Sequence, residues 1–498
     1  MVPGTQDRIK DDGHGGLDAL AIVALLWAAQ TLIQLTVFHD WHGVTGLVGW
    51  IAFGLAIGVL LNPRSLRLFM ALIIFATSRY IIDWPFVSNH LLLDTFISVA
   101  IVGSAARVVG SKIVRSAPLG QGERDAIVQT LSPLVTAMFV LMYYWIVISK
   151  MNHDFIDKEM SCMHSMYIYV INRNDIIEFA GSFFSVDILF WVFMIIEWML
   201  PLMLTFRRTR LWAIYVGVPF HLLLGVMGHY WYSSLVLTLY AIVALPSIME
   251  ALPLAVEKLG AVGLKRVRTA FRAVVTAGAV LFAASAIIAP VQGFMSLTME
   301  VLLWSVPAGL VGLALVWAVA QSHYRHGIWT EINTWPLVSR RPGLLWGVVG
   351  LMSLNSLSPY IGYKTTGAIS MYSNLRTEGD FNNHMFMPTI DLFEYQDDLV
   401  EVIDSNDPII RGLAHHPVLY GDYDIGMPAM RAYLELRRAV SRSGNDSLWV
   451  RYKRGGDEYV FDRKLPENQH DLDRHLPFWL QKTASFRPVF KDRSYCLH

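Results

Sequence analysis

"YYWIVISKMNHDFID", Tyr143 to Asp157, carries an apolar run into a lysine and then straight into Asn, His and Asp. What that lysine does depends first on whether the run lies in a membrane. Counted back to Thr130 the run is about 20 residues long, the length of helix that crosses a bilayer core. The rest of the chain agrees. Of its 498 residues 54% are hydrophobic and 16% charged, and its mean hydropathy is +0.42, outside the soluble range. The formal charge is zero and no long basic or acidic tail exists, so no nucleic-acid partner is indicated. Two cysteines, Cys162 and Cys496, make neither a disulfide framework nor a cysteine-rich metal site.

Hydropathy predicts a mainly α protein, a polytopic transmembrane bundle of eleven helices over 17–38, 44–61, 66–82, 90–109, 130–149, 184–206, 210–229, 234–251, 269–290, 296–319 and 343–357. The first run is too long for a signal-peptide core and lacks a small-residue cleavage site, so it reads as a retained span. Lys and Arg collect in every second connection: Arg64 and Arg67; Arg107 to Arg124; Arg207, Arg208 and Arg210; Lys258 to Arg268; Arg340 and Arg341. Those connections belong inside. The expected topology is a multi-pass cell-membrane protein with a cytoplasmic N-terminal tail (1–16) and an extracytoplasmic C-terminal domain (358–498).

That domain reads as α+β. "MRAYLELRRAVSR" (Met430 to Arg442) has helical spacing, and "SLWVRYKRGGDEYVFD" (Ser447 to Asp462) reads as two strands about a Gly-Gly turn.

The topology gathers ionisable groups at the outer helix ends. Lys150 closes the fifth run; Asn89 and His90 open the fourth, with Asp94 one turn deeper; Arg79 lies near the end of the third; His39, His42, His153, Asp154, His164 and His229 are outer as well. Each has a plain alternative. A terminal lysine snorkels, and histidines beside Trp form an interfacial belt. Arg79 and Glu197 are different, because a charge inside hydrocarbon costs about 2.5–3.5 kcal/mol and faces a cavity or a partner. His221, in "VPFHLLLG", reads as a buried histidine bonded to a backbone carbonyl or as a site residue. Arg207, Arg208 and Arg210 read as topology determinants. A desolvated lysine is a general base near neutral pH, and Lys150 would be one if it is not merely an anchor.

Three segments resemble the vitamin K-dependent gamma-glutamyl carboxylases and the related bacterial horizontally transferred transmembrane (HTTM) proteins. "SKMNHDFID" (Ser149 to Asp157) is similar to the segment holding the base that deprotonates vitamin K hydroquinone, "SNHLLL" (Ser88 to Leu93) to the segment with the histidine that assists carboxylation, and "YVGVPFHLLLGVMGHYWYSSLVLTLYAIVALP" (Tyr215 to Pro246) to a Phe-His helix and its successor. The resemblance covers Asp18 to Leu252, giving a carboxylase-like membrane core (17–252) followed by additional transmembrane helices (253–357). It implies Lys150, His90 and His221 as catalytic residues; the polar groups gathered with them by the topology, Arg79, Asn89, Asp94, His153, Asp154, Glu197 and His229, are the candidates for supporting them or binding substrate. It also implies reduced vitamin K or menaquinol, O2 and CO2 as cofactors, no metal, a lysine base that generates the hydroquinone anion, and carboxylation at a glutamate γ-carbon or a related proton abstraction. A peptide or protein substrate would meet the outer face. Ser149 stands where the carboxylases carry a second lysine.

"MYSNLRTEGDFNNHMFMP" (Met371 to Pro388) and the segment after it resemble C-terminal segments of bacterial HTTM-like proteins. Asn374, Arg376, Asn383 and His384 form either a solvated loop or a segment folded back over the helix bundle. Cys162 and Cys496 both fall outside, which permits a disulfide and equally two independent thiols. Two further functions compete with the enzyme: a non-enzymatic scaffold or transporter using Arg79 and Glu197, and a metal-dependent enzyme using His39 and His42 with His90, His153 or His229.

Overall fold

The computed structural model of the chain describes residues 17–38, 41–115, 119–157, 160–165, 186–287, 297–329, 331, 334–420, 423–465, 471–490 and 496. The N-terminal tail and His39 lie outside the described residues. Helices dominate: α1 (Ala19–Leu35), α2 (Gly43–Leu61), α3 (Leu66–Asp83), α4 (Asn89–Arg115), α5 (Gln121–Lys150), the short α6 (His153–Ile156), α7 (Val186–Thr205), α8 (Trp212–Leu224), α9 (Tyr230–Val243), α10 (Leu245–Ile287), α11 (Leu297–His326) and α12 (Trp346–Ser356).

Five stretches are long and apolar enough to cross a membrane: Gly43–Leu61, Asn89–Gly110, Gln121–Lys150, Trp212–Val243 and Trp304–His326. Ala19–Leu35, Phe190–Thr205 and Gly343–Ser356 are apolar but shorter. This is the make-up of a membrane protein, though not eleven separate long helices among the described residues. The differences have local causes. α3 carries Arg67, Arg79 and Asp83 within its 18 residues. α12 has 11 residues, a rise of about 17 Å against a hydrocarbon core of about 30 Å. α10 is broken at Gly260, where φ is 62°. Trp212–Val243 is a hairpin: Gly228 at φ 95° ends a π-turn (Gly225–His229), and α9 returns along α8. A Cβ on Gly217 would strike the Tyr240 hydroxyl, so glycine permits the close approach of the two arms.

α5 is the central post. It is buried along most of its length and packs against α1, α4, α7, α9 and α12. At one end Arg124 donates to both carboxylate oxygens of Asp18 at 2.8 and 3.0 Å, and Asp18 caps α1 through the Ala21 amide. Arg210, expected only to orient the chain, is buried and bonds the Leu204 and Thr205 carbonyls of α7 and the Trp335 carbonyl. A guanidinium with several donors thus closes a helix end whose carbonyls have no intrahelical partners.

The C-terminal region holds a small antiparallel sheet of order β4-β1-β5-β6, from β1 (Leu399–Ser405), β4 (Met430–Ala432), β5 (Trp449–Arg454) and β6 (Asp457–Asp462). β2 (His415–Tyr420) and β3 (Tyr423–Pro428) form a separate hairpin. Gly455 and Gly456, at φ 60° and 96°, make the two-residue β5–β6 turn. Two helices border the sheet, α13 (Pro408–Gly412) and α14 (Tyr433–Arg442). Tyr433, Leu436 and Val440, on one face of α14, pack with Val400, Val450 and Phe461 of the sheet. The chain from about 364 to 390 is not part of the sheet: it runs back across the helix ends and builds the site.

Candidate functional site

The lysine at the end of α5 has a partner from another helix. Lys150 Nζ donates to Glu197 Oε2 on α7 at 2.5 Å, and both side chains are largely buried. Pro201, four residues on from Glu197, has no N–H, so the Glu197 carbonyl lacks its helical donor and α7 is locally loosened beside the pair. The Lys150 ammonium also lies 5.3 Å from the centre of the Phe155 ring.

The pair opens onto a cavity whose wall is mostly apolar, including Ile146, Phe190, Phe193 and Met227. Its other polar groups are His164, His229, Tyr232 and Tyr372. His229 stands on the π-turn, a device that re-aims side chains and recurs at functional sites. Its Nδ1 lies 3.2 Å from the Tyr372 hydroxyl. A second, larger cavity lies between the helix ends and the C-terminal domain and is lined by Asn89 and His90. His229, Tyr232, Met371 and Tyr372 line both cavities and form the wall between them.

Tyr372 holds φ 48° and Ile369 φ 54°. Left-handed backbone at a tyrosine and at a β-branched isoleucine is strained, and the surroundings enforce it. Asn89 Oδ1 accepts from the Ile369 amide at 2.9 Å. His384 Nε2 donates to the Ile148 carbonyl at the end of α5. The Asn152 amide donates to the Ser149 and Ser373 carbonyls. Asn374 accepts from the Cys162 amide and donates to the Met160 carbonyl. Asn383 donates to Asp154 Oδ2 at 2.7 Å and accepts from the Arg376 amide, and Arg376 donates to the Phe490 carbonyl. Asn374, Arg376, Asn383 and His384 are all buried, so the solvated-loop reading of this segment does not hold. These four fasten the segment, while Met371 and Tyr372 face the cavities. Cys162 and Cys496 are joined in a disulfide, packed with Phe155 and Phe190 behind Tyr372.

The other candidates separate. His221 is buried one layer below the cavities; its Nε2 meets the Tyr143 hydroxyl at 2.6 Å, not a backbone carbonyl, and Tyr143 meets Tyr240 at 3.1 Å. Tyr232, whose ring centre is 5.4 Å from that of His221, links it to the cavity walls. Asp94 turns away toward α1, accepting from Gln30 at 2.8 Å and from Ser98 at 3.0 Å. Arg79 pairs with Asp83 and stacks on Phe38, apart from the lysine. His153 is exposed beside the site, and its contact with the returning segment is its backbone amide on the Asn383 carbonyl. Among the described residues no three of His, Cys, Asp and Glu gather as metal ligands.

Sequence reasoning missed Met371, Tyr372 and Tyr232. A tyrosine near a membrane edge is ordinary, and only the crossing of the returning segment gives Tyr372 its place. The chain matches no family model, no curated protein and no solved structure.

Proposed function

We propose that the chain is a membrane enzyme related to the gamma-glutamyl carboxylases and HTTM proteins, in which the Lys150–Glu197 pair takes a proton from a bound hydroquinone such as reduced vitamin K or menaquinol. The observation that carries this reading is the pair itself, a lysine held at 2.5 Å from a carboxylate on the wall of an apolar cavity. The lining is mostly apolar with a few convergent polar groups, the make-up of a small-molecule site. Its apolar walls would hold the ring, and Lys150, His229, Tyr232 and Tyr372 are the polar groups at hand to orient its hydroxyls. Bound there, a quinol supplies an acidic hydroxyl and, with O2, the oxidising chemistry that the resemblance couples to CO2 addition.

The chain's own part is proton management. In the ion-paired form Lys150 holds its proton and the free lone pairs of the couple are on Glu197. Moving one proton from Nζ to Glu197 Oε2 leaves a neutral amine at the cavity, and a neutral couple avoids the desolvation of two charges. Lys150 is then the base and Glu197 the positioning residue that stores the proton. Glu197 thereby provides the neighbouring charge that Ser149 does not. His90, across the Tyr372 wall, belongs to the adjoining cavity, where a second reactant would enter.

In this reading the lysine end of α5 and the C-terminal domain are extracytoplasmic. The alternation of Lys and Arg between connections supports that orientation, as does the Cys162–Cys496 disulfide, a bond that persists in oxidising compartments. The test is quinol turnover by the full chain in lipid nanodiscs, offering reduced vitamin K or menaquinol with O2 and following epoxide. Wild type should form epoxide and Lys150→Ala should lose at least about a hundredfold in rate. Unchanged turnover in Lys150→Ala, or none from folded wild type with either quinol, defeats the reading.

A further inference from the structure

The cavity between the helix ends and the C-terminal domain has a charge composition that its own residues leave open. Its wall includes four arginines, Arg431, Arg438, Arg442 and Arg487, against two carboxylates, Asp407 and Glu435, a formal excess of two positive charges. The carboxylates are already engaged. Glu435 binds Arg438 through both oxygens at 2.7 Å, and Asp407 caps α13 and accepts from the Ser443 hydroxyl. Arg431, Arg442 and Arg487 have no carboxylate at ion-pair distance among the described residues. Arg431 donates to the Leu413 carbonyl, Arg487 to the Leu375 carbonyl, and Arg442 lies 4.7 Å from the centre of the Phe86 ring. Burial pulls the Arg431 and Arg442 guanidinium groups below their ordinary range, Arg438 adds to this at Arg442, and the Glu435 carboxylate, itself held by Arg438, opposes it at both. Desolvating a guanidinium without a full counter-charge is unfavourable; Arg431 and Arg487 are partly buried and Arg442 is exposed, and the three come from three different parts of the domain.

The opposite wall belongs to the helix ends and carries an apolar stretch, Val37 after α1, Phe86 and Val87 between α3 and α4, and Trp231 beside the hairpin turn, next to Ser88, Asn89, His90 and His229. Phe86 and Val87 come just before the membrane-length stretch that starts at Asn89, and Trp231 stands at the turn of the apolar hairpin, the level at which lipid headgroups meet such helices. A soluble anion has no use for such a wall, whereas an amphipathic one fills both sides. The excess of two charges matches the −1.5 to −2 of a phosphomonoester better than a single carboxylate, and guanidinium groups from several directions suit a head with three oxygens.

We propose that this cavity binds the phosphomonoester headgroup of a lipid, with Arg431, Arg442 and Arg487 on the phosphate and the Phe86–Trp231 wall against the glycerol and upper acyl chains. The site is independent of the quinol reading, since its ligand and its readout are different. The experiment uses the full chain in phosphatidylcholine nanodiscs, with phosphatidic acid as the probe and native mass spectrometry and thermal unfolding as readouts. Phosphatidic acid should be retained and should raise the unfolding temperature. Arg431→Gln, Arg442→Gln and Arg487→Gln should each weaken it about tenfold, the matching Arg→Lys variants less, and Arg451→Gln, on the exposed side of β5, not at all. Inorganic phosphate that displaces the lipid at millimolar concentration would identify free phosphate as a source of the same headgroup chemistry; no displacement would identify the lipid. Equal retention of phosphatidylcholine, or phosphatidic acid binding that survives all three Gln substitutions in a folded protein, overturns the proposal. If a Gln variant does not fold, the Lys variant and Asp407→Asn, which should tighten binding, decide it.

Discussion

The two cavities share a wall and treat charge in opposite ways. In the cavity inside the bundle the one cation, Lys150, is met by a carboxylate 47 residues away, and the remaining lining is mostly apolar. In the cavity under the C-terminal domain three arginines are met by backbone carbonyls or an aromatic ring, with no carboxylate at ion-pair distance among the described residues. The first has its charges balanced by the protein, and in the proposed reading its space takes a largely neutral ring. The second has its space lined by an imbalance that an anionic ligand completes. Burial of a charge is tolerated when a partner is fixed in place, so the location of the missing partner indicates which kind of molecule each space takes.

The comparison is broken most severely by unpairing the first cavity. Lys150→Ala leaves Glu197 as a buried charge without its partner and should destabilise the protein by about 3–5 kcal/mol, read as denaturant unfolding in detergent. The double variant Lys150→Ala with Glu197→Gln should recover most of that loss. Equal stability of the single and double variants would show that the pair is not what balances the cavity.

A smaller effect is expected at Lys364, whose ammonium lies near Gly367 at the edge of the second cavity. Burial pulls this lysine from 10.5 down to about 8. The folded state therefore releases its proton before the unfolded chain does. Stability should be lowest and level below pH 8, rise between about 8 and 10.5, and level off above. The gain is about 1–2 kcal/mol once partial exposure is allowed for, and Lys364→Met should remove the slope. A flat profile in wild type would mean that this lysine meets a counter-charge.

The least stability change is expected from Asp407→Asn. Asparagine caps a helix as well as aspartate does, so the loss should stay under about 0.5 kcal/mol. The Ser443 hydroxyl, with the Ile409 and Ile410 amides, holds the Asp407 carboxyl below its usual range against the opposing effect of burial. The aspartate's contribution is thus present above about pH 4 and fades as pH falls through its lowered pKa; the asparagine variant should lack that acid limb. It also sharpens the contrast by making the second cavity more positive.

Much of the helical frame is legible in the chain because apolar runs of membrane length are a local property. The β5–β6 hairpin and α14 are legible for the same reason, through alternation about Gly455-Gly456 and the 433, 436, 440 spacing. Lys150, Arg79 and Glu197 stand out because a charge in an apolar stretch is anomalous wherever it points. The turn at Gly228 falls at the expected end of the 210–229 run and the break at Gly260 in the expected connection between the 234–251 and 269–290 runs, while the positive φ at each glycine has no local signal in the sequence.

By itself, then, the sequence determined that the chain is a helical membrane protein with an α+β region after it, and which ionisable groups required partners. It did not determine who those partners are. That Lys150 meets Glu197, that Asp94 turns toward Gln30, and that Tyr372 walls off two cavities follow from helix rotation and from a segment returning across more than 200 residues of chain. Pairing across such distances depends on the packing of whole faces, a collective property that leaves no local pattern in the residues it brings together.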